Sequence, residues 1–94
     1  MGLNIAANHT HVAAGETDFA IASEGSITVY GITVQGTANG QVVVEEGDGS
    51  TVIQEISVLA NTTAVMNIPF VAARGLNITT PASVTCTVFH SNVT

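Results

Sequence analysis

The stretch GTANGQVVVEEGDGSTV, residues 36–52, holds a very short apolar run between two turn signals. The run is Val42–Val44, with Asn39-Gly40 before it and Asp48-Gly49 after it. Asn-Gly and Asp-Gly are the preferred central pairs of type I′ hairpin turns, in which both residues take a positive φ. The stretch therefore predicts short strands joined by hairpins. These strands are expected to form a three-stranded meander over 26–35, 41–46 and 51–59.

The rest of the chain continues the pattern of short strands. Apolar and polar residues alternate, Val, Ile and Thr dominate, and helical periodicity is absent, which is typical of half-buried strands. Strands are predicted near 8–13, 17–22, 26–35, 41–46, 51–59, 64–70, 75–80 and 83–90. Strands at about ten-residue spacing predict an all-β fold, a single antiparallel β-sandwich of about eight short strands. Its strand order is either jelly-roll-like or Ig-like, because periodicity does not encode order.

The predicted strand SITVYGITVQ changes phase in its middle. Ile27 and Val29 alternate in step, whereas Ile32 and Val34 are one residue out of step with them. A β-bulge at Tyr30-Gly31 would return all four side chains to one inward face.

The chain of 94 residues carries little charge. Charged residues make up 9% of it, the net charge is −6, and Arg74 is the one Lys or Arg side chain, against roughly 25% charged residues in ordinary domains. We expect no nucleic-acid partner and no anionic membrane partner, because nothing neutralises phosphates. Thr, Ser, Asn and Ala lose little side-chain entropy when covered. Such a surface suits contact area in an assembly, and it equally suits an extracellular β-domain of low charge.

The N-terminal region predicts an arm and no targeting signal. Residues 1–19 contain no basic region and no long apolar core, so no secretory signal is expected. No apolar run reaches the roughly 18 residues of a transmembrane helix. The Gly, Asn and Ala content of residues 1–14 predicts an extended N-terminal arm, followed by a β-sandwich domain at 15–94.

Three histidines are the candidate metal ligands. His9 and His11 would face the same side of a strand, so both imidazoles could reach one ion. His90 could supply a third ligand. The alternative is an exposed arm with solvated histidines, and we adopt it: neither a metal nor a cofactor is expected.

No residue pattern predicts catalysis. The acidic stretch Glu45–Gly49 lacks the EF-hand spacing, so it is interpreted as a solvated hairpin tip. Cys86 is the single cysteine, which allows no internal disulfide. It shares a strand face with Val84 and Val88, and we expect a buried structural thiol. With no Ser-His-Asp arrangement, phosphate loop or CxxC present, the protein is predicted not to be an enzyme.

Two apolar side chains are predicted to face outward. Val43 points away from Val42 and Val44, and Phe89 points away from Cys86. A neighbouring subunit could cover Val43, and Phe89 lies either at an interface or under the N-terminal segment. The predicted interface residues are Val43, Phe89, His9 and His11.

Three segments together span most of the chain: ITVYGITVQGTANGQVVV, VIQEISVLANTTAVMNIPF and, at the C-terminus, GLNITTPASVTCTVFHSNVT. They resemble small virion proteins of tailed bacteriophages, particularly of marine and cyanobacterial phages. The resemblance lies in the Lys-free, Thr-, Val- and Ala-rich β-strand pattern over most of the chain, and it includes no strict signature motif. It implies a capsid decoration, or cement, protein: a compact β-sandwich or jelly roll, often a trimer, clamped over junctions between major capsid subunits. The family has no fixed site, so no functional residue is carried over.

The resemblance also implies partners and a location. The expected partners are the major capsid protein and further copies of the chain, with a homotrimer favoured. The expected location is the capsid surface of the virion, after synthesis in the host cytoplasm without a signal peptide. The alternatives are a phage tail or fibre-base structural protein, and a host-surface or carbohydrate-binding β-sandwich module.

Overall fold

The computed structural model describes residues 8–47, 51–67 and 69–92, and within these ranges the chain is built from β-strands. The strands are β1 (Asn8–Val12), β2 (Phe19–Ala22), β3 (Ile27–Gly36), β4 (Gly40–Glu45), β5 (Val52–Val58), β6 (Thr62–Met66), β7 (Phe70–Ala72), β8 (Leu76–Thr79) and β9 (Val84–His90). In the described ranges, no helix has the length and apolarity that crossing a membrane requires.

The strands form two antiparallel sheets packed face to face. The front sheet has the order β1-β9-β3-β6, and β7 also pairs with β3. The back sheet has the order β2-β8-β4-β5. If β6 and β7 are counted as one interrupted strand, the order is that of a jelly roll, in which eight strands wind as two Greek keys. The predicted all-β sandwich is confirmed, and the strand order selects the jelly-roll form.

The core between the sheets is almost entirely aliphatic. Alternate residues of each strand point into it, as the sequence pattern predicts. The most deeply buried side chains are Ile27, Ile32, Leu76, Ile78, Val12, Val29, Val34, Val42, Val44, Val84, Val88 and Cys86. Phe19 and Phe70 are partly buried and pack against this cluster. Each fully buried aliphatic side chain contributes roughly 1.5–3 kcal/mol relative to exposure, so this cluster is the main source of stability.

A β-bulge divides β3, and this confirms the phase change in the sequence. The register with β9 shifts between Val29 and Gly31. As a result Ile27 and Ile32 both lie in the core, each 1% exposed. On the side of β3 opposite β9, the pairing changes at the same place. There β7 pairs with the β3 residues before the bulge, and β6 pairs with those after it. Pro69 lies between β6 and β7, where its missing N–H leaves no ladder hydrogen bond unmade.

The predicted three-stranded meander is wrong. β4 and β5 do form an antiparallel hairpin, whose tip at Asp48-Gly49 lies outside the described residues. However, β3 belongs to the other sheet, and the chain crosses between the sheets before β4. Asn39 and Gly40 do not have the positive φ values of a type I′ turn. Gly40 is needed for a different reason: a Cβ there would lie 2.7 Å from Val84 Cγ2 and 2.9 Å from Pro81 Cγ.

The sandwich starts earlier than the expected boundary at residue 15. β1 pairs with β9 along its whole length, from Asn8 opposite His90 to Val12 opposite Cys86. Val12 is fully buried in the core. Residues 8–12 of the expected arm 1–14 are therefore an integral strand, and residues 1–7 lie outside the described ranges.

The loop between β7 and β8 packs tightly against the chain after β2. Gly75 has a φ of +83°, and a Cβ there would collide with the carbonyl oxygen of Ala22 and lie 2.9 Å from the Ser23 carbonyl carbon. The Gly75 N–H donates to the Gly25 carbonyl at 2.6 Å. Gly75 therefore combines a left-handed backbone with a close backbone approach, and both favour glycine.

Candidate functional site

The outer face of the front sheet is the candidate functional surface. The register places His9 opposite Phe89 and His11 opposite Thr87, and it places Thr33 opposite Thr87 on the other side of β9. We call this surface the uncharged face. Its residues are His9, His11, Thr28, Tyr30, Thr33, Gln35, Thr63, Val65, Val71, Thr85, Thr87 and Phe89. None of them is Asp, Glu, Lys or Arg.

Exposed apolar side chains concentrate on the uncharged face. Of the six large hydrophobic side chains that are exposed among the described residues, four lie here: Tyr30, Val65, Val71 and Phe89. Single exposed apolar residues are ordinary, but a set on one side of a small domain indicates a contact surface. The hydroxyls and amides between them provide hydrogen-bonding groups without charge.

His9 and His11 belong to this face and contact their cross-strand neighbours. The ring centroids of His9 and Phe89 lie 6.2 Å apart at an interplanar angle of 43°. His11 Nδ1 lies 3.2 Å from the Thr87 hydroxyl oxygen. Three of the four predicted interface residues, His9, His11 and Phe89, are thus brought together. Val43 lies on the back sheet, on the opposite side of the molecule.

His90 is not brought to His9 and His11. It lies on the core side of β9 and is 8% exposed. Its Nδ1 lies 2.8 Å from the Ser91 carbonyl oxygen, which can only accept a hydrogen bond, so Nδ1 is the donor. In the neutral imidazole Nε2 then accepts from the Thr10 hydroxyl at 2.8 Å. This histidine is a hydrogen-bonded core residue, and the described ranges contain no group of three or more metal-ligating side chains.

Cys86 lies in the core and is 2% exposed. Burial raises the pKa of its thiol to about 11, because an ionised sulfur is poorly solvated there. The thiolate is the nucleophilic form. Cys86 is therefore held in its unreactive form at neutral pH.

We expect Cys86 to resist thiol reagents in the folded protein. At pH 8 its alkylation should be about 100-fold slower than in denaturant, since burial both suppresses the thiolate and blocks access. The rate is measured with iodoacetamide and mass spectrometry. Ser57→Cys, at an exposed position of β5, is the control and should react rapidly while folded. Equal rates at the two sites would contradict the buried position of Cys86.

The outer face of the back sheet is acidic. We call it the acidic face and define it by Asp18, Glu45 and Glu55. Asp18 is tied to this sheet because its N–H donates to the Thr79 hydroxyl at 3.0 Å. The pKa of Glu45 is raised, first by burial, then by the charge of Asp18 and a hydrogen bond to it. Two carboxyl groups therefore meet on a face that has no basic residue in its strands.

Glu45→Gln is expected to stabilise the protein at pH 7 but not at pH 3. A raised carboxyl pKa means that the folded state holds the proton more tightly than the unfolded state does. The associated stability is present below the ordinary Glu pKa and is lost as pH rises through the raised value. The gain at pH 7 should be roughly 0.5 kcal/mol or less, because the pair is partly solvated.

Denaturant unfolding at both pH values measures this effect. Asp18→Asn should give a gain in the same direction, and the double variant should gain less than the sum of the two single variants. Additive gains would show that the two carboxyl groups do not interact.

A groove of about 420 Å³ opens at one end of the uncharged face. Its lining includes Gln35, Thr62, Thr63, Ser83 and Thr85. These side chains are amides and hydroxyls, with no acid or base beside them in the lining to activate a hydroxyl. The groove offers hydrogen bonds to a bound surface and does not assemble catalytic groups.

Comparison with known proteins gives a fold likeness. The sequence matches no protein-family model and no curated protein. A chain from Bacillus endospore appendages, which form a family of disulfide-linked pili, has a TM-score of 0.51 and 13% identity over 94% of this chain and 88% of that chain. The Tobacco streak virus coat protein has a TM-score of 0.34 and 9% identity over 93% and 88%. At 13% identity the likeness to the appendage chain concerns the fold alone.

Proposed function

We propose that this protein is a non-enzymatic structural subunit of a virion, namely a phage decoration protein that binds across junctions between major capsid subunits. The observation that carries the proposal is the separation of an uncharged face and an acidic face on opposite sides of one sandwich. A protein that clamps a lattice needs broad contact surfaces, and this chain has one on each sheet. The acidic face would complement basic patches on a capsid and orient docking.

Stabilisation would follow from mass action. A protein that binds only the assembled lattice shifts the equilibrium toward that lattice. The gain per site is about 2.7 kcal/mol when the free concentration is a hundredfold above Kd. A jelly roll with a rigid aliphatic core can stabilise the lattice in this way without a conformational change. The role depends on surface contacts, so it requires no cofactor.

Heads with and without the protein test the proposal. Heads that lack it should release their DNA at a lower temperature, and added purified protein should restore the wild-type temperature. Glu45→Gln combined with Glu55→Gln should weaken this rescue, whereas Ser57→Ala, at another exposed position of the back sheet, should not. Equal heat resistance of the two kinds of head would contradict the proposal. A few copies per virion would indicate a tail component instead.

A filament subunit is the second candidate. The fold likeness to the appendage chain spans most of both molecules, and that observation supports it. Cys86 is the single cysteine and is buried, so it does not suit a disulfide between subunits. Electron microscopy of the concentrated protein separates the candidates: filaments would favour a pilus-type subunit, and small discrete particles would favour decoration.

A further inference from the structure

We propose that the uncharged face is the surface through which two copies of this chain associate, face to face, around a two-fold axis. This inference deepens the proposed assembly function, because it names a contact surface and its occupant. The residues that carry it are Gln35, Val65, Thr85, Thr87 and Phe89. In such a pair the two acidic faces lie on opposite outer sides, so one of them is free to contact a capsid.

Charge limits where two copies can meet. Each chain has a net charge of −6, and like charges brought together at an interface oppose association. Every described acidic residue lies in the back sheet or in a loop: Glu16, Asp18, Glu24, Glu45, Glu46 and Glu55. The strands of the front sheet contain none of them. Contact through the uncharged face brings no carboxylate of a front-sheet strand into the contact, whereas contact through the acidic face would bring Asp18, Glu45 and Glu55 of the two copies together.

The hydrogen-bonding groups favour a second copy over a different partner. Hydroxyl and amide side chains both donate and accept, so Gln35, Thr85 and Thr87 can pair with the same residues of an identical surface. A two-fold contact requires this self-complementarity. Ionised carboxylates only accept, so those that define the acidic face would repel their counterparts in a contact between two copies. A basic partner would be attracted to the acidic face instead.

The size and composition of the face are sufficient for a dimer. The molecule is a flat body of 42 × 34 × 19 Å, and the roughly 800 Å² per partner of a standard interface would take up about half of the rectangle that bounds its broad side. Thr and Val side chains lose little conformational freedom when they are covered. Val65 and Phe89 are 58% and 44% exposed and supply apolar area that contact would bury.

Sedimentation equilibrium of the purified chain tests the inference without any capsid. At about 100 µM, within the range where interfaces of this size can associate, the wild type should have twice the 9.5 kDa mass of one chain. Gln35→Glu places an isosteric negative charge on an exposed position of the uncharged face. It should raise the dimer Kd about tenfold or more through like-charge repulsion. Gln41→Glu, the matched change at an exposed position of the back sheet, should leave the Kd unchanged. Far below the dimer Kd, where association does not contribute to stability, both variants should keep the wild-type melting curve.

Several results would overturn the inference. These are a monomer at every concentration, a trimer mass, or equal Kd values for Gln35→Glu and Gln41→Glu. A monomer that dimerises only after residues 1–7 are removed would show that this segment, and not a second copy, occupies the face. Capsid binding by a monomeric protein would leave the proposed function intact. A dimer that stabilises no capsid would contradict that function and leave the inference standing.

Discussion

Leu76→Ala is expected to lower the free energy of unfolding by about 2–5 kcal/mol. Leu76 begins β8, between β2 and β4, and is fully buried. Removing its side chain loses apolar burial and leaves a cavity that a close-packed interior fills only in part. Small domains have a total stability of about 5–15 kcal/mol, so a large fraction would be lost. Chemical denaturation followed by circular dichroism measures the change.

Leu59→Ala is the matched control, because it makes the same chemical change outside the core. Leu59 follows β5 and is 67% exposed. Its carbonyl oxygen accepts hydrogen bonds from Thr62, and the substitution leaves that backbone group in place. The expected change is within about 0.5 kcal/mol. Similar losses for the two variants would contradict the burial of Leu76 and the packing of β8 against the front sheet.

Gly75→Ala should be the most damaging single-methyl addition, lowering the free energy of unfolding by roughly 2–5 kcal/mol. A φ of +83° costs a non-glycine residue about 1–2 kcal/mol. The new Cβ would also collide with the Ala22 carbonyl oxygen, and overpacking of this kind costs typically 1–3 kcal/mol. The obstacle is backbone, so it cannot move aside by changing a rotamer. Thermal and denaturant unfolding would report the loss.

Gly15→Ala separates the two causes. Gly15 has a similar φ of +76°, but the nearest atom to a Cβ there is Ala82 Cα at 3.9 Å. This variant should therefore show the backbone strain alone, about 1–2 kcal/mol. If Gly15→Ala and Gly75→Ala lost equal stability, the close approach to the chain after β2 would not contribute.

Strand positions were predictable from the sequence because the inward residues alternate along most of the strands. Val84, Cys86 and Val88 show this pattern in β9, and all three are buried. The bulge at Tyr30-Gly31 was predictable for the same reason, since two phases of one apolar face require an extra residue between them. Periodicity reports which side of a strand meets the core, and it does so locally.

Strand order was not predictable, because it depends on contacts far apart in sequence. Asn39-Gly40 has the composition of a tight hairpin turn, yet the glycine is required by Pro81 and Val84, which approach it from a distant part of the chain. A local signal cannot distinguish these two uses of glycine. The same limit kept the jelly-roll and Ig-like alternatives open.

The candidate surface was predictable only in part. His9, His11 and Phe89 lie together because alternation correctly placed each of them on an outward face. Val65 and Val71 join them only through the pairing of β6 and β7 with β3. The separation of the acidic residues from this face is likewise a property of the sheet order. This separation cannot be predicted from any short stretch of the sequence.

The central position of β9 has a consequence for how the protein is made. β9 lies between β1 and β3, which are both synthesised well before it. Until residues 84–90 leave the ribosome, the front sheet lacks its middle strand, and β1 has no neighbour with which to pair. At about 5–20 residues per second, synthesis takes seconds. During that time the earlier strands of the front sheet have unpaired edges. Folding is therefore completed after synthesis of β9, and a chain released before that point would be a substrate for chaperones or aggregation.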